Sequence, residues 1–223
     1  MNSNPPTTRL TLLRHGETVW NREGRMQGHG DSPLSPDGEH QVEALARRMA
    51  GSSSSFTHLY SSDLGRAMST AEAIARRTGL EVLPAPELRE RAMGLFEGLT
   101  REEVRIRHPG AYAAWKTQDP TRPSPGGESI EASTARMLAF CQTLAERHRG
   151  GHVVAVSHGG VMAGFLRHIL GIPEETARHF KIPNASVNVF LHDAQGWWLQ
   201  SWGDTAHLEG LSETGRKSHM AVR

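Results

Sequence analysis

Two short apolar runs in this chain each end on a histidine. Leu10 to Leu13 stops at Arg14-His15-Gly16, and His152 to Val156 stops at Ser157-His158-Gly159-Gly160. Runs of that length, rich in Leu and Val, suit strands buried in a sheet. In open α/β sheets, ligands sit outside the carboxyl ends of the strands. An arginine and a histidine placed there are costly to desolvate unless something binds them. Arg14 carries a planar fork of donors that fits a phosphate or a carboxylate. His15 is an imidazole that can act as a neutral nucleophile near pH 7. Gly16 lets the backbone turn and approach a ligand closely. The second run delivers His158 beside the start of a helix, where anions are attracted. A chain that does this twice is organised around an anion site with a nucleophile at its floor.

The remaining pattern alternates strands with helices. Residues 1–8 are expected to be a disordered leader, and strand one covers about Arg9–Leu13. Residues 14–34 are expected to be a long functional loop. Ser35-Pro36-Asp37 has the signature of a helix start, with Val42, Leu45, Ala46 and Met49 forming the buried face. Residues 51–55, Gly followed by serines, make a flexible connection. A strand at Phe56–Tyr60 precedes a helix from about Leu64 to Thr78, ended by Gly79. Glu81–Leu83 is a short strand. Thr100-Arg-Glu-Glu103 is a capping box opening a helix to about His108, with another turn or two at Ala111–Trp115. Residues 118–128 are rich in proline and glycine and are expected to border the site. A helix follows over 129–148, with Cys141 inward. Another helix runs from the second histidine to about Leu170. Val187–His192 and Trp197–Trp202 form a hairpin, and their tryptophans are expected in sheet and core. The fold class is therefore α/β, a mostly parallel central sheet with helices on both faces.

Composition closes off several classes. At 223 residues one domain is expected, here 9–208, with a cap segment at about 91–128 and a flexible tail at 209–223. The formal net charge of +1 gives no pull toward nucleic acid or membrane surface. No apolar leader and no membrane-length run is visible. The single cysteine excludes an internal disulfide and agrees with a cytoplasmic protein. The 13 histidines are scattered, without HExxH or clustered Cys/His spacing, so no metal site is expected.

The string Leu-Arg-His-Gly-Glu-Thr at 13–18, with Trp20-Asn21, Gln27-Gly28, Asp31, Pro33-Leu34 and Gly38, resembles the opening of the histidine phosphatase superfamily, in its phosphoglycerate-mutase-like branch. Tyr60-Ser-Ser-Asp-Leu-Gly-Arg66 resembles that family's second phosphate-arginine segment. Glu90-Arg-Ala-Met-Gly94-Leu-Phe96-Glu97-Gly98 resembles the segment carrying the general acid. Pro125-Gly-Gly-Glu-Ser129, Val156-Ser-His158-Gly-Gly and Asp204 to Leu208 continue the match in order. The resemblance implies a doubly wound three-layer sandwich. It assigns Arg14, His15, Arg66, Glu90 and His158 to catalysis, and leaves Glu97 a structural role. Asn21, Gln27 and Asn184 are expected to touch substrate.

It also implies a mechanism. Neutral His15 attacks phosphorus, its other ring nitrogen donating to a backbone carbonyl. Glu90 protonates the leaving alkoxide and then activates water. His158, expected to be protonated, stabilises the equatorial oxygens. No cofactor is implied. The expected activity is hydrolysis of small phosphomonoesters. The runner-up is a 2,3-bisphosphoglycerate-dependent phosphoglycerate mutase. A silent phospho-ligand binder is a third reading, and the presence of every expected catalytic residue type speaks against it. The natural substrate and the oligomeric state, a homodimer included, stay open.

Overall fold

The computed structural model describes residues 6–51, 56–174, 176 and 179–211. Its strands are β1 (Thr8–Arg14), β2 (His58–Ser61), β3 (Val82–Pro84), β4 (His152–Ser157), β5 (Val187–Asp193) and β6 (Gly196–Asp204). They form one six-stranded sheet in the order β3-β2-β4-β1-β5-β6. The first four of that order run parallel, and β5 is antiparallel to both β1 and β6.

The helices are α1 (Val19–Glu23), α2 (Pro36–Gly51), α3 (Gly65–Thr78), α4 (Arg101–Arg107), α5 (Pro109–Lys116), α6 (Ile130–Arg147) and α7 (Gly159–Leu170). Successive strand residues point to opposite faces of a sheet. Leu10, Leu12, Val153 and Ala155 pack against Met137, Cys141 and Leu144 of α6 and Val161, Met162 and Phe165 of α7. Leu13, Val154 and Val156 pack against Val42 and Leu45 of α2 and Ala67, Ala71 and Ile74 of α3. The sheet is thus covered on both faces. Val153 to Val156 are fully buried, which is why β4 is a continuous apolar run rather than an alternating one. Burying each such valine contributes about 1.5 kcal/mol or more.

The topology places the site. β1 and β4 are neighbours in parallel register, with Arg14 opposite Ser157. The residues that follow them, His15 and His158, therefore emerge side by side at one edge of the sheet.

Four expectations need correction. Thr8 belongs to β1, not to a leader: it is buried and its hydroxyl donates to the Ala145 carbonyl at 3.2 Å. The 14–34 segment is not all loop, because Thr18 opens α1 through a reciprocal capping box with Asn21. Trp198 is not a core residue; it is 49% exposed, since only alternate residues of β6 face the helices. The 209–223 segment is not all flexible tail, because the Glu209 N–H donates to the Ala206 carbonyl and the Leu211 N–H to the Leu208 carbonyl, each at 3.2 Å. Residues 1–5, 52–55 and 212–223, covering most of the expected leader, connection and tail, lie outside the described residues.

Two partly buried histidines, His152 and His207, make stability depend on pH. Burial, reinforced by the Arg9 guanidinium, pulls His152 from 6.5 down to about 4. Burial, and then Arg48, pulls His207 down to about 4 against the attraction of Asp204. Both groups take up protons more readily in the unfolded chain. Their contribution is complete above pH 6.5 and is lost as pH falls toward about 4. Reduced for partial exposure, each contributes on the order of 1 kcal/mol. The thermal midpoint should fall over that interval, and His152→Gln should flatten the fall. A midpoint that holds level from pH 6.5 to 4 in the wild type would contradict this.

Candidate active site

His15 is 3% exposed. Its Nδ1 lies 2.7 Å from the Gly16 carbonyl, which can only accept, so Nδ1 carries the proton and Nε2 the lone pair. Burial, then Arg66 and Arg14, hold this ring well below 6.5, hence neutral at pH 7. The backbone here is clamped from the start of β5. The His15 carbonyl accepts from the Ala185 N–H at 3.1 Å and from Asn184 Nδ2 at 3.1 Å. Ala185 adopts a left-handed φ of 54°, a cost this turn bears at the site. Gly16 allows the close packing behind it: a Cβ would sit 2.5 Å from Val42 Cγ2 and 2.9 Å from the Gly38 carbonyl.

Arg14 ends β1, and its guanidinium donates to the Ile182 carbonyl. Arg66 enters from the first turn of α3 and is 2% exposed. Its Nη2 donates to the Gly28 carbonyl at 2.8 Å, and Nη1 to the Gly30 carbonyl at 3.0 Å and Asp31 at 3.1 Å. The 28–31 loop thus wraps the arginine. Its Nε is buried without a partner among the described residues.

His158 caps the start of α7 and is fully buried, with its ring centroid 5.1 Å from that of His15. Its Nε2 lies 2.8 Å from Ser62 Oγ. The expectation of a protonated His158 is corrected here. Burial, followed by Arg66, His15, Arg14 and His29, keeps it well below 6.5. Burial and the neighbouring guanidiniums disfavour its charge, so the free protein holds it neutral.

Glu90 reaches the same place from the segment after β3. Its carboxylate accepts from the Gly160 N–H at 2.8 Å and the Val161 N–H at 3.1 Å, at the positive end of α7, and from the Arg91 N–H at 2.9 Å. A Cβ on Gly160 would stand 2.4 Å from Glu90 Oε1, so a side chain there would displace the acid. Glu97 does something else: its Oε1 accepts from the backbone N–H groups of His29, Met93 and Gly94, stapling two loops together.

The structure therefore brings Arg14, His15, Arg66, Glu90 and His158 into one cluster. Asn21, Gln27 and Asn184 lie beside it with their amides engaged. Asn21 Oδ1 accepts from the Thr18 N–H and from Asn184 Nδ2, each at 3.2 Å. Gln27 Oε1 accepts from the Thr18 hydroxyl at 3.0 Å. The Asn21–Asn184 contact ties this loop to the turn before β5, and the Gln27–Thr18 contact braces the loop itself.

Sequence reasoning missed Arg136. From α6 it donates to the carbonyls of Glu87 at 2.6 Å and Arg89 at 3.0 Å while pairing with Glu128 at 2.8 Å, and so holds the Glu90 segment in place. It also missed His29, whose Nε2 lies 2.9 Å from the Glu90 carbonyl. Neither residue stands at a strand end or in a special spacing, so no local signal marked them. Among the described residues, no group of three or more His, Cys, Asp or Glu side chains is placed to hold a metal ion. No described helix is long and apolar enough to cross a membrane.

Arg14, His15 and His158 at the carboxyl ends of parallel strands, Arg66 in the first turn of α3 and a carboxylate beside them define an α/β enzyme built around a phosphoryl group. The chain belongs to the histidine phosphatase superfamily (branch 1), whose family model matches residues 10–205. It is 40% identical over 210 residues to phosphoglycerate mutase-like protein 4 of Arabidopsis thaliana, covering 92% of this chain and 88% of that protein. It is 37% identical over 206 residues to the metal-independent phosphoserine phosphatase of Arabidopsis thaliana, covering 92% and 84%. The solved structure of Bacillus stearothermophilus YhfR superposes with a TM-score of 0.83 at 31% identity, covering 91% of this chain and all of that one.

Proposed function

We propose that this enzyme hydrolyses phosphate monoesters of small metabolites through a phosphohistidine on His15. One observation carries the reading. The Gly16 carbonyl fixes the proton on His15 Nδ1, which leaves Nε2 as a neutral nucleophile beside the guanidiniums of Arg66 and Arg14. Arg14 and Arg66 supply donors for the phosphoryl oxygens, and these act most strongly where charge spreads in the transition state. Glu90 stands beside them to protonate the leaving oxygen and then to take a proton from water. The roles of Asn21, Gln27 and Asn184 toward substrate, a cytoplasmic setting and a homodimer are part of the same proposal.

The mutase reading is the competitor, and relatives carry both kinds of name. A mutase must shield the phosphoenzyme from water until the substrate has turned over. Between Glu90 and α6 this chain has only a single 3-10 turn at Gly94–Phe96, α4, α5 and the 118–128 loop. A thin cover of that kind admits water. The loop at 26–31 reads Met-Gln-Gly-His-Gly-Asp, with no tryptophan after Gly28.

Incubation with 3-phosphoglycerate, with and without 2,3-bisphosphoglycerate, separates the two. We expect phosphate release that does not need the bisphosphate and little 2-phosphoglycerate. Isomerisation far outrunning phosphate release would replace the hydrolase reading with the mutase one. Orthovanadate should inhibit as a five-coordinate mimic of phosphorus, and activity should survive excess EDTA.

A further inference from the structure

We propose that Ser62 holds His158 in the tautomer with its proton on Nδ1, so that this ring meets the phosphoryl group as a neutral hydrogen-bond donor. The inference rests on reading the cluster as a phosphoryl site. Ser62 stands one residue beyond β2, fixed there by its own N–H, which donates to the Val156 carbonyl at 2.9 Å. Its hydroxyl oxygen is 2.8 Å from His158 Nε2, and both residues are fully buried. Among the described residues, the other partner of that oxygen is the Leu64 N–H at 3.4 Å, which can only donate. The hydroxyl proton therefore has one acceptor in reach, His158 Nε2. A neutral imidazole that accepts at Nε2 carries its proton on Nδ1.

The reverse orientation is worse on two counts. It leaves a buried hydroxyl proton without an acceptor, and it leaves a bare lone pair on Nδ1. His158 Nδ1 is buried and has no partner among the described residues. Arg66, His15 and Arg14 are close enough to act on the ring. An unmatched N–H beside two guanidiniums lacks only an acceptor, and phosphoryl oxygens supply one.

The comparison with His15 gives this its chemical sense. Both rings carry their proton on Nδ1, but in His15 that N–H donates to the Gly16 carbonyl, while in His158 Ser62 donates to the opposite edge, at Nε2. One ring is left with a lone pair to give to phosphorus, and the other with a proton to give to an oxygen. A neutral donor gains strength as charge grows on that oxygen and holds a dianionic substrate less tightly beforehand. Ser62 is thus a positioning residue that acts through His158.

The proton can be located by long-range proton–nitrogen NMR on the full chain labelled at its histidine nitrogens, with His158→Gln identifying the His158 signals. In the wild type we expect a protonated Nδ1 and a bare Nε2. In Ser62→Ala the His158 pattern should move toward Nε2–H while the His15 pattern holds. The same variant should lose about 10- to 100-fold in kcat, the range found for partners that orient an imidazole, with KM little changed. A wild-type His158 protonated at Nε2 overturns the proposal, and so does a Ser62→Ala protein that keeps the wild-type pattern. If Ser62→Ala fails to fold, the wild-type spectrum alone decides. The spectrum is taken without substrate, so absence of phosphate release would refute the hydrolase reading and leave this result standing.

Discussion

His15→Ala should lose phosphate release by about 10⁴-fold or more, because the proposed mechanism needs the Nε2 lone pair of that ring to attack phosphorus. The neighbouring donors still bind the phosphoryl group, so substrate affinity should survive. The fold should survive as well. The removed ring is neutral and sits beside two guanidiniums that disfavour its charge, so little attraction is lost with it. The loss is confined to packing and one hydrogen bond to the Gly16 carbonyl. Single-turnover phosphate release together with a thermal melt tests this. Near-normal turnover in a pure sample would remove His15 from the mechanism.

Glu90→Gln separates esters by their leaving groups. The amide oxygen can still accept from the Val161 and Arg91 N–H groups, which share one carboxylate oxygen, while the Gly160 N–H, held by the other, loses its acceptor, so the segment keeps most of its anchoring. What disappears is proton transfer, which contributes about 10²- to 10⁴-fold when the leaving alkoxide is a poor one. Alkyl phosphates such as phosphoserine should slow by that amount. p-Nitrophenyl phosphate, whose leaving group needs little protonation, should slow far less. An equal loss on both substrates would mean that Glu90 is not the acid. Glu97 would not be an easy replacement, since its Oε1 is already occupied by three backbone N–H groups.

The site was legible where it depends on strand ends. β1 and β4 are buried on both faces, so Leu10–Leu13 and Val153–Val156 are apolar apart from the buried Thr11, and the charged or histidine residues just after them mark the ligand edge. That is how Arg14, His15 and His158 stand out from sequence. Arg66 and Glu90 were legible only through family resemblance, because an arginine in a first helical turn and a glutamate on a loop are ordinary features. α1 was missed because it buries none of its five residues and so has no apolar period. Its one signal is Thr18 with Asn21 three residues on, a weaker form of the usual capping box. The charge of His158 was misjudged because it depends on which side chains converge from distant segments. Arg136 was invisible for the same reason: the carbonyls it holds lie 46 to 49 residues away. Strand order, and with it the antiparallel placing of β5 beside β1, leaves no local trace.

The central claim is that phosphate passes through His15. Rapid quenching of the enzyme with a radiolabelled phosphate ester, followed by peptide mapping, measures this directly. The account predicts a transient label, acid-labile and base-stable, on the peptide carrying His15, formed and lost as fast as turnover and absent from His15→Ala. Steady turnover without any phosphoprotein, or a label on another residue, would contradict it.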